Sequence, residues 1–168
     1  FAKVLWGGLL KSRKSAALPG AKIYPPTLTN SDLANIKIAN EMGVTGVMQP
    51  FVRDHSDLER VKEVLREAGA EDIRLFAKIE NMDGVRKLEK LLPAADEIVI
   101  ARGDLGNAVH LWDLPGVQRQ ISEKCRAAGK PFMVVTQMLA SMERSPVPTR
   151  AEVNDIFHAV MDGAASIM

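Results

Sequence analysis

Apolar positions along this chain follow two rhythms that take turns. Short apolar runs of strand character alternate with stretches in which apolar residues recur every three or four positions. Leu33, Ile36 and Ile38 open the first helical stretch, with Asn30, Ser31 and Asp32 as candidate N-caps and a stop near Gly43. Residues 44–52 predict a strand. Ser56 and Glu59 have the spacing of a capping box, and Leu58, Val61 and Leu65 share one face of a helix that stops at Gly69. Residues 73–80 predict a second strand, 84–92 a helix and 97–102 a third strand. A helix over 117–128 closes at Gly129-Lys130-Pro131, and 132–136 predict a fourth strand. Thr149 and Glu152 form another capping box, after which Val153, Ile156, Phe157 and Val160 face one way as far as Gly163. A fifth strand begins at Ala165.

Strand alternating with helix through short turns predicts βαβ units and a parallel α/β sheet. A doubly wound dinucleotide fold requires Gly-x-Gly-x-x-Gly after a strand. Neither Gly7-Gly8 nor Gly103 to Gly106 has that spacing. The favoured reading is a (β/α)8 TIM barrel, a fold of typically ~250 residues. The 168 residues supply about five of its β/α units, so the barrel is partial. Residues 1–26 lack a helical period and are rich in Gly, Pro and basic residues. They read as short strands and a connector returning from another domain, and residues 27–168 as the partial barrel. Phe1-Ala2-Lys3 is neither an initiator methionine nor a signal peptide, and the chain stops on a strand. The expectation is a piece of a longer protein.

Composition narrows the partners. The chain is 46% apolar and 26% charged, with a formal net charge of +1, which gives no reason to expect nucleic acid or an anionic membrane. No apolar run approaches a membrane span. Cys125 stands alone, so no internal disulfide forms, which fits a reducing cytoplasmic setting.

Candidate chemistry lies at the ends of the strands. Lys78 and Glu80 are two apart on the second strand and share a face, while Ala77 and Ile79 take the other. That end of the strand is where barrel enzymes keep their active sites. An internal salt bridge accounts for the same pair. Asp104 follows the next strand and is expected beside Glu80. Two carboxylates plus substrate oxygens and waters suit Mg²⁺. Gly103 lets its N–H face an anion, although Gly103-Asp104 also reads as an ordinary turn. Thr136, ending the fourth strand, offers a hydroxyl to a substrate carboxylate, or serves as a core-edge group. A metal on Glu80 and Asp104, with Lys78 nearby, suits a transferring phosphoryl group or a developing enolate.

Ala77-Lys78-Ile79-Glu80-Asn81, Ala101-Arg102-Gly103-Asp104-Leu105-Gly106, Gly129-Lys130-Pro131, Thr136-Gln137-Met138-Leu139 and Pro148-Thr149-Arg150-Ala151-Glu152, with Leu18-Pro19-Gly20 and Phe51-Val52-Arg53, resemble the pyruvate kinase family in order and spacing. The resemblance implies that phosphoenolpyruvate and ADP give pyruvate and ATP, with Mg²⁺ or Mn²⁺ and usually K⁺. It implies Lys78 as the catalytic lysine stabilising the phosphoryl transition state and the enolate. Glu80 and Asp104 match metal ligands, and Lys78, Gly103, Asp104 and Thr136 match substrate contacts. It further implies a cytoplasmic homo-oligomer, a tetramer in the family. A substrate-binding arginine, K⁺ ligands, a lid and a regulatory domain fall outside these residues, so the expectation is that this polypeptide alone does not turn over. The competing class is a Mg²⁺-dependent aldolase or lyase acting on a pyruvate enolate, from which Lys78 two residues before Glu80 discriminates.

The chain also departs from the family. Lys14-Ser15-Ala16-Ala17-Leu18 replaces Lys-Gly-Val-Asn-Leu, and Asn107-Ala108-Val109-His110 replaces a segment with a glutamate and a proline. Pro50 stands where a serine near the K⁺ site is common. His55, His110 and His158 lack metal-ligand spacing, and Trp6 and Trp112 are isolated. Cys125 reads as a small semi-buried residue, and Met133, Met138 and Met142 as core.

Overall fold

A computed structural model describes residues 3–9, 11–12, 18 and 23–168. Phe1, Lys14 to Ala17, and Pro19-Gly20 lie outside the described residues. Among the described residues before Thr27 there is no strand, contrary to the expected short ones.

From Thr27 the strand–helix alternation is realised. In order come α1 (Asn30–Ile38), β1 (Gly46–Gln49), α2 (His55–Glu67), β2 (Arg74–Ile79), α3 (Met82–Arg86), α4 (Leu88–Leu91), β3 (Glu97–Ala101), α5 (Arg102–Ala108), α6 (Leu114–Ala127), β4 (Phe132–Val135), a 3₁₀ turn (Ala140–Glu143), α7 (Arg150–Met161) and β5 (Ser166–Ile167). The strands form one sheet in the order β1-β2-β3-β4-β5, every pair parallel.

All the helices that bury side chains do so on one face of that sheet. Leu75, Ala77, Ile79, Ile98, Ile100, Phe132 and Val134 join a single cluster with Leu58, Val61 and Leu65 of α2, Leu88 and Leu91 of α4, and Ile121 and Cys125 of α6. Each fully buried Leu, Ile or Phe here contributes ~1.5–3 kcal/mol. The opposite face carries its own small apolar layer, with Val99, Ala101 and Val135 against Phe76 and Met133. Helices on one face only are the layering of a barrel wall, not of a doubly wound sheet.

Below that layer the inner face turns polar. Glu97 is buried, takes Arg74 at 3.1 Å, and accepts the Ser166 hydroxyl at 3.1 Å across β4. The Arg74 guanidinium also lies 4.9 Å from the Phe76 ring centroid.

Helix ends differ from the expectation in instructive ways. The N-cap of α1 is Thr29, boxed with Asp32. The box of α2 is Asp54 with Asp57, not Ser56 with Glu59. A carboxylate at the cap also meets the positive helix N-terminus, so the aspartate two residues earlier wins. The helix expected over 84–92 is two short ones parted at Lys87, with Asn81 Oδ1 capping α3 through the Gly84 N–H at 2.9 Å. Gly84 is needed for packing, because a Cβ there would lie 2.8 Å from the Val52 carbonyl oxygen. α6 starts at Leu114, three residues before the expected Val117, with a proline in its first turn. The Thr149–Glu152 box forms as expected. On α7, however, Ile156 packs against the core while Val153, Phe157 and Val160 stay 51%, 58% and 58% exposed. This helix flanks the last strand, so a neighbour covers only part of its apolar stripe.

Candidate active site at the carboxyl ends of the strands

The two-residue alternation on β2 sends Lys78 and Glu80 to the inner face, and the Lys78 ammonium meets Glu80 Oε1 at 2.8 Å. The two differ in exposure: 25% of the Lys78 side chain is open against 2% of Glu80. A carboxylate this buried needs partners on both oxygens. Glu80 Oε2 finds its second partner in the Phe51 main-chain N–H, at 2.7 Å.

Phe51 reaches that position with φ 50, the left-handed region that non-glycine residues seldom enter. Such a conformation costs of order 1–3 kcal/mol and persists only where the surroundings enforce it. Here they do. The Val52 N–H donates to the Lys78 carbonyl at 3.3 Å, and the Asn81 side-chain amide donates to the Val52 carbonyl at 3.1 Å. Arg53 is anchored next, donating its N–H and guanidinium to Asp57 at 2.9 Å each. The Thr27 hydroxyl adds a third donor to Asp57 at 2.7 Å. Burial pushes the Asp57 carboxyl up, but the bonds from Arg53 and Thr27 outweigh it and hold the group down at about 2.

The neighbouring strands bring the remaining candidates to the same rim. Ile79 is level with Ile100, and Ala101 with Val135, so Glu80, the β3–α5 junction and Thr136 end three adjacent strands. Asp104 lies in the first turn of α5, exposed, and pairs with no cation among the described residues. The Gly103 N–H, expected to face an anion, donates instead to Thr136 Oγ1 at 3.0 Å. That hydroxyl in turn donates to the Val135 carbonyl at 2.5 Å. Thr136 and Gln137 both have positive φ, 79 and 55, a second strained turn at this rim. Arg102 braces it, donating to the Thr136 carbonyl and to Asp155 Oδ1 of α7, each at 2.7 Å. Lower down, the 3₁₀ turn is held by Glu152, which accepts from the Ser141 N–H at 2.7 Å and from its hydroxyl. The Ser141 donors hold the Glu152 carboxyl well down, at about 2.

Sequence reasoning missed Phe51 as a site residue, because a main-chain donor leaves no mark on side-chain pattern. It missed the Arg102–Asp155 brace too, although an arginine directly after the apolar run Ile98 to Ala101 was a usable signal. The histidines set aside have partners of their own. His55 lies 3.6 Å from Glu59, His110 stacks on Trp112 at 4.7 Å, and His158 meets Phe157 edge-on. Cys125 is wholly buried rather than semi-buried, and burial pushes its thiol up to about 12. Met138 is core, whereas Met142 is 42% exposed.

As for a metal, no group of three or more His, Cys, Asp or Glu gathers among the described residues. The available donors are two carboxylates, Glu80 and Asp104. Oxygen-only donors, few in number, fit a hard divalent cation that fills its shell with water and substrate oxygens. Both Glu80 oxygens keep lone pairs beyond the bonds they accept.

Fold and rim together define a class: a parallel β/α barrel whose polar groups collect at the carboxyl ends of its strands. The family model of the pyruvate kinase barrel domain matches residues 1–168, and the chain belongs to that family. It is 41% identical over 166 residues to a pyruvate kinase of Bacillus licheniformis, covering 99% of this chain and 28% of that protein. It is 41% identical to a pyruvate kinase of Geobacillus stearothermophilus, covering 98% and 28%, and 40% identical to one of Dictyostelium discoideum, covering 95% and 31%. The chain thus spans about a third or less of the length of these relatives.

Proposed function

We propose that the protein carrying this chain transfers the phosphoryl group of phosphoenolpyruvate to ADP, giving pyruvate and ATP. The observation that carries this reading is the Lys78–Glu80 pair, 2.8 Å apart on the inner face at the end of β2. Family membership supports it, since the relatives are named pyruvate kinase.

In this reading Lys78 is the catalytic group. Its ammonium is partly open to the rim, so it reaches the charge that builds on the transferring phosphoryl group and on the enolate oxygen. Glu80 and Asp104 hold a divalent cation, Mg²⁺ or Mn²⁺, which when bound neutralises phosphate charge. Lys78, Gly103, Asp104 and Thr136 contact the substrate. The Thr136 hydroxyl and Gly103 N–H give up their mutual bond and turn to the substrate's oxygens. K⁺ is the second cation of this reading, with Pro50 as the departure at its site. Residues 1–26 serve as the return from a lid domain and 27–168 as part of the catalytic barrel, which works as a cytoplasmic homo-oligomer. Among the described residues no helix is long and apolar enough to cross a membrane.

The test is ADP-dependent release of pyruvate from phosphoenolpyruvate by the complete protein. Glu80→Gln and Asp104→Asn are each expected to suppress it. ADP-independent condensation or cleavage of a 2-oxo acid would replace this reading with a lyase. The 168-residue polypeptide alone is expected to be inactive, because the five strands of the described residues leave the barrel wall open.

A further inference from the structure

We propose that Phe51 is a positioning residue for Glu80, acting through its main-chain N–H rather than its ring. The inference rests on the reading of Glu80 as a metal ligand and adds to it the group that aims the carboxylate.

The two donors on Glu80 are not equivalent. Lys78 holds Oε1 with a flexible, partly exposed side chain. Phe51 holds Oε2 with a main-chain donor that has no rotamers to change. When an anionic phosphoryl group draws the Lys78 ammonium away, or a divalent cation displaces it, Oε1 is released. Oε2 stays tethered, so the carboxylate keeps its direction while one oxygen changes partner. A ligand fixed this way loses little freedom on binding a cation, which is how groups behind a metal ligand raise affinity.

The backbone around Phe51 is arranged for that bond. β1 ends at Gln49, and Phe51 enters the left-handed region immediately afterwards. Its ring does not explain the strain, because the side chain is 53% exposed. The residues after it hold the turn: Val52 through Lys78 and Asn81, and Arg53 through Asp57. Two of those anchors, Lys78 and Asn81, flank Glu80 itself. The strained turn and the carboxylate therefore belong to one hydrogen-bonded unit.

The probe is Mn²⁺ alone, titrated into the complete protein without substrate and followed by the electron spin resonance of free Mn²⁺. Replacing the Phe51 amide with an ester (phenyllactate at position 51) deletes the N–H and keeps the ring. Mn²⁺ affinity should fall about ten- to a hundredfold, the usual cost of losing a group behind a metal ligand. Phe51→Gly keeps the N–H and accepts positive φ, so it should bind within about threefold of the parent. Phe51→Val keeps the N–H but resists that φ, and should weaken Mn²⁺ binding as the ester does. This pair decides the matter if the ester protein does not fold. Parental affinity in the ester, equal affinity in the Gly and Val variants, or a loss in Phe51→Gly matching the ester's would each overturn the proposal. Glu80→Gln separates the two levels: if it leaves Mn²⁺ affinity unchanged, the metal reading of Glu80 has failed and Phe51's role goes with it.

Discussion

Replacing Lys78 with methionine removes one charge and keeps an unbranched side chain of similar length. Two effects then separate. The first is on the fold. Glu80, with 2% of its side chain exposed, loses its cation and keeps only the Phe51 N–H. Breaking a fully buried pair costs ~3–5 kcal/mol. Lys78 is a quarter open, so solvent screening brings the cost to about 1–2 kcal/mol. The second effect is on the reaction. Loss of one preorganised donor lowers kcat by about 10²–10³, or ~3–4 kcal/mol of transition-state stabilisation. Binding of the cation should move the other way or not at all, because the ammonium no longer occupies Glu80 Oε1. The assay is pyruvate formation by the complete Lys78→Met protein, coupled to lactate dehydrogenase, alongside Mn²⁺ titration and a thermal melt. The expected result is a kcat lowered at least a hundredfold with Mn²⁺ affinity undiminished. A fall in kcat of less than tenfold would reduce Lys78 to a structural partner of Glu80. A loss of Mn²⁺ affinity parallel to the loss of rate would mean that the lysine acts by placing the cation.

Other consequences are as direct. Asp57 is held at about 2 against an ordinary 3.8, so its contribution of ~2 kcal/mol is present above about pH 4 and drains away as pH falls towards 2. Asp57→Asn should lower the melting temperature at pH 7 and flatten its fall between pH 5 and 2; an unchanged acid slope would contradict this. Gly84→Ala puts a Cβ 2.8 Å from the Val52 carbonyl and should destabilise by ~1–3 kcal/mol in thermal melts. Cys125, fully buried with its thiol pushed up to about 12, should react with a disulfide reagent only after denaturation. Prompt labelling of the native protein would show that the helix layer opens there.

How much of this was readable beforehand depends on the kind of signal. Alternation placed Lys78 and Glu80 on one face, and the pair is found at 2.8 Å. Strand periodicity needs nothing beyond the local chain. Caps were harder. Thr149 and Glu152 form the expected box, whereas the reading of Ser56 with Glu59 overlooked Asp54 and Asp57, which have the same spacing. The choice went to Asp54 and Asp57, the latter also bound to Arg53 and to Thr27, thirty residues away. The stripe on α7 was real as a pattern, yet pattern does not say which flank meets a neighbour. The Gly103–Thr136 bond joins two residues chosen separately for substrate contacts. That each would satisfy the other follows from the register of β3 against β4, which no single segment encodes.

The order of the strands bears on how the chain acquires its shape. Among the described residues each strand pairs only with its neighbours in sequence, and the longest closure runs from Ile98 to Phe132. Among these five strands no pairing waits for a distant segment of the described residues, so the loop-entropy cost at each step is small. The wall can therefore assemble in the order in which a ribosome delivers it, each new βα unit settling on a finished edge. Lys78, Glu80 and Asp104 then come into register before the fourth strand has been made.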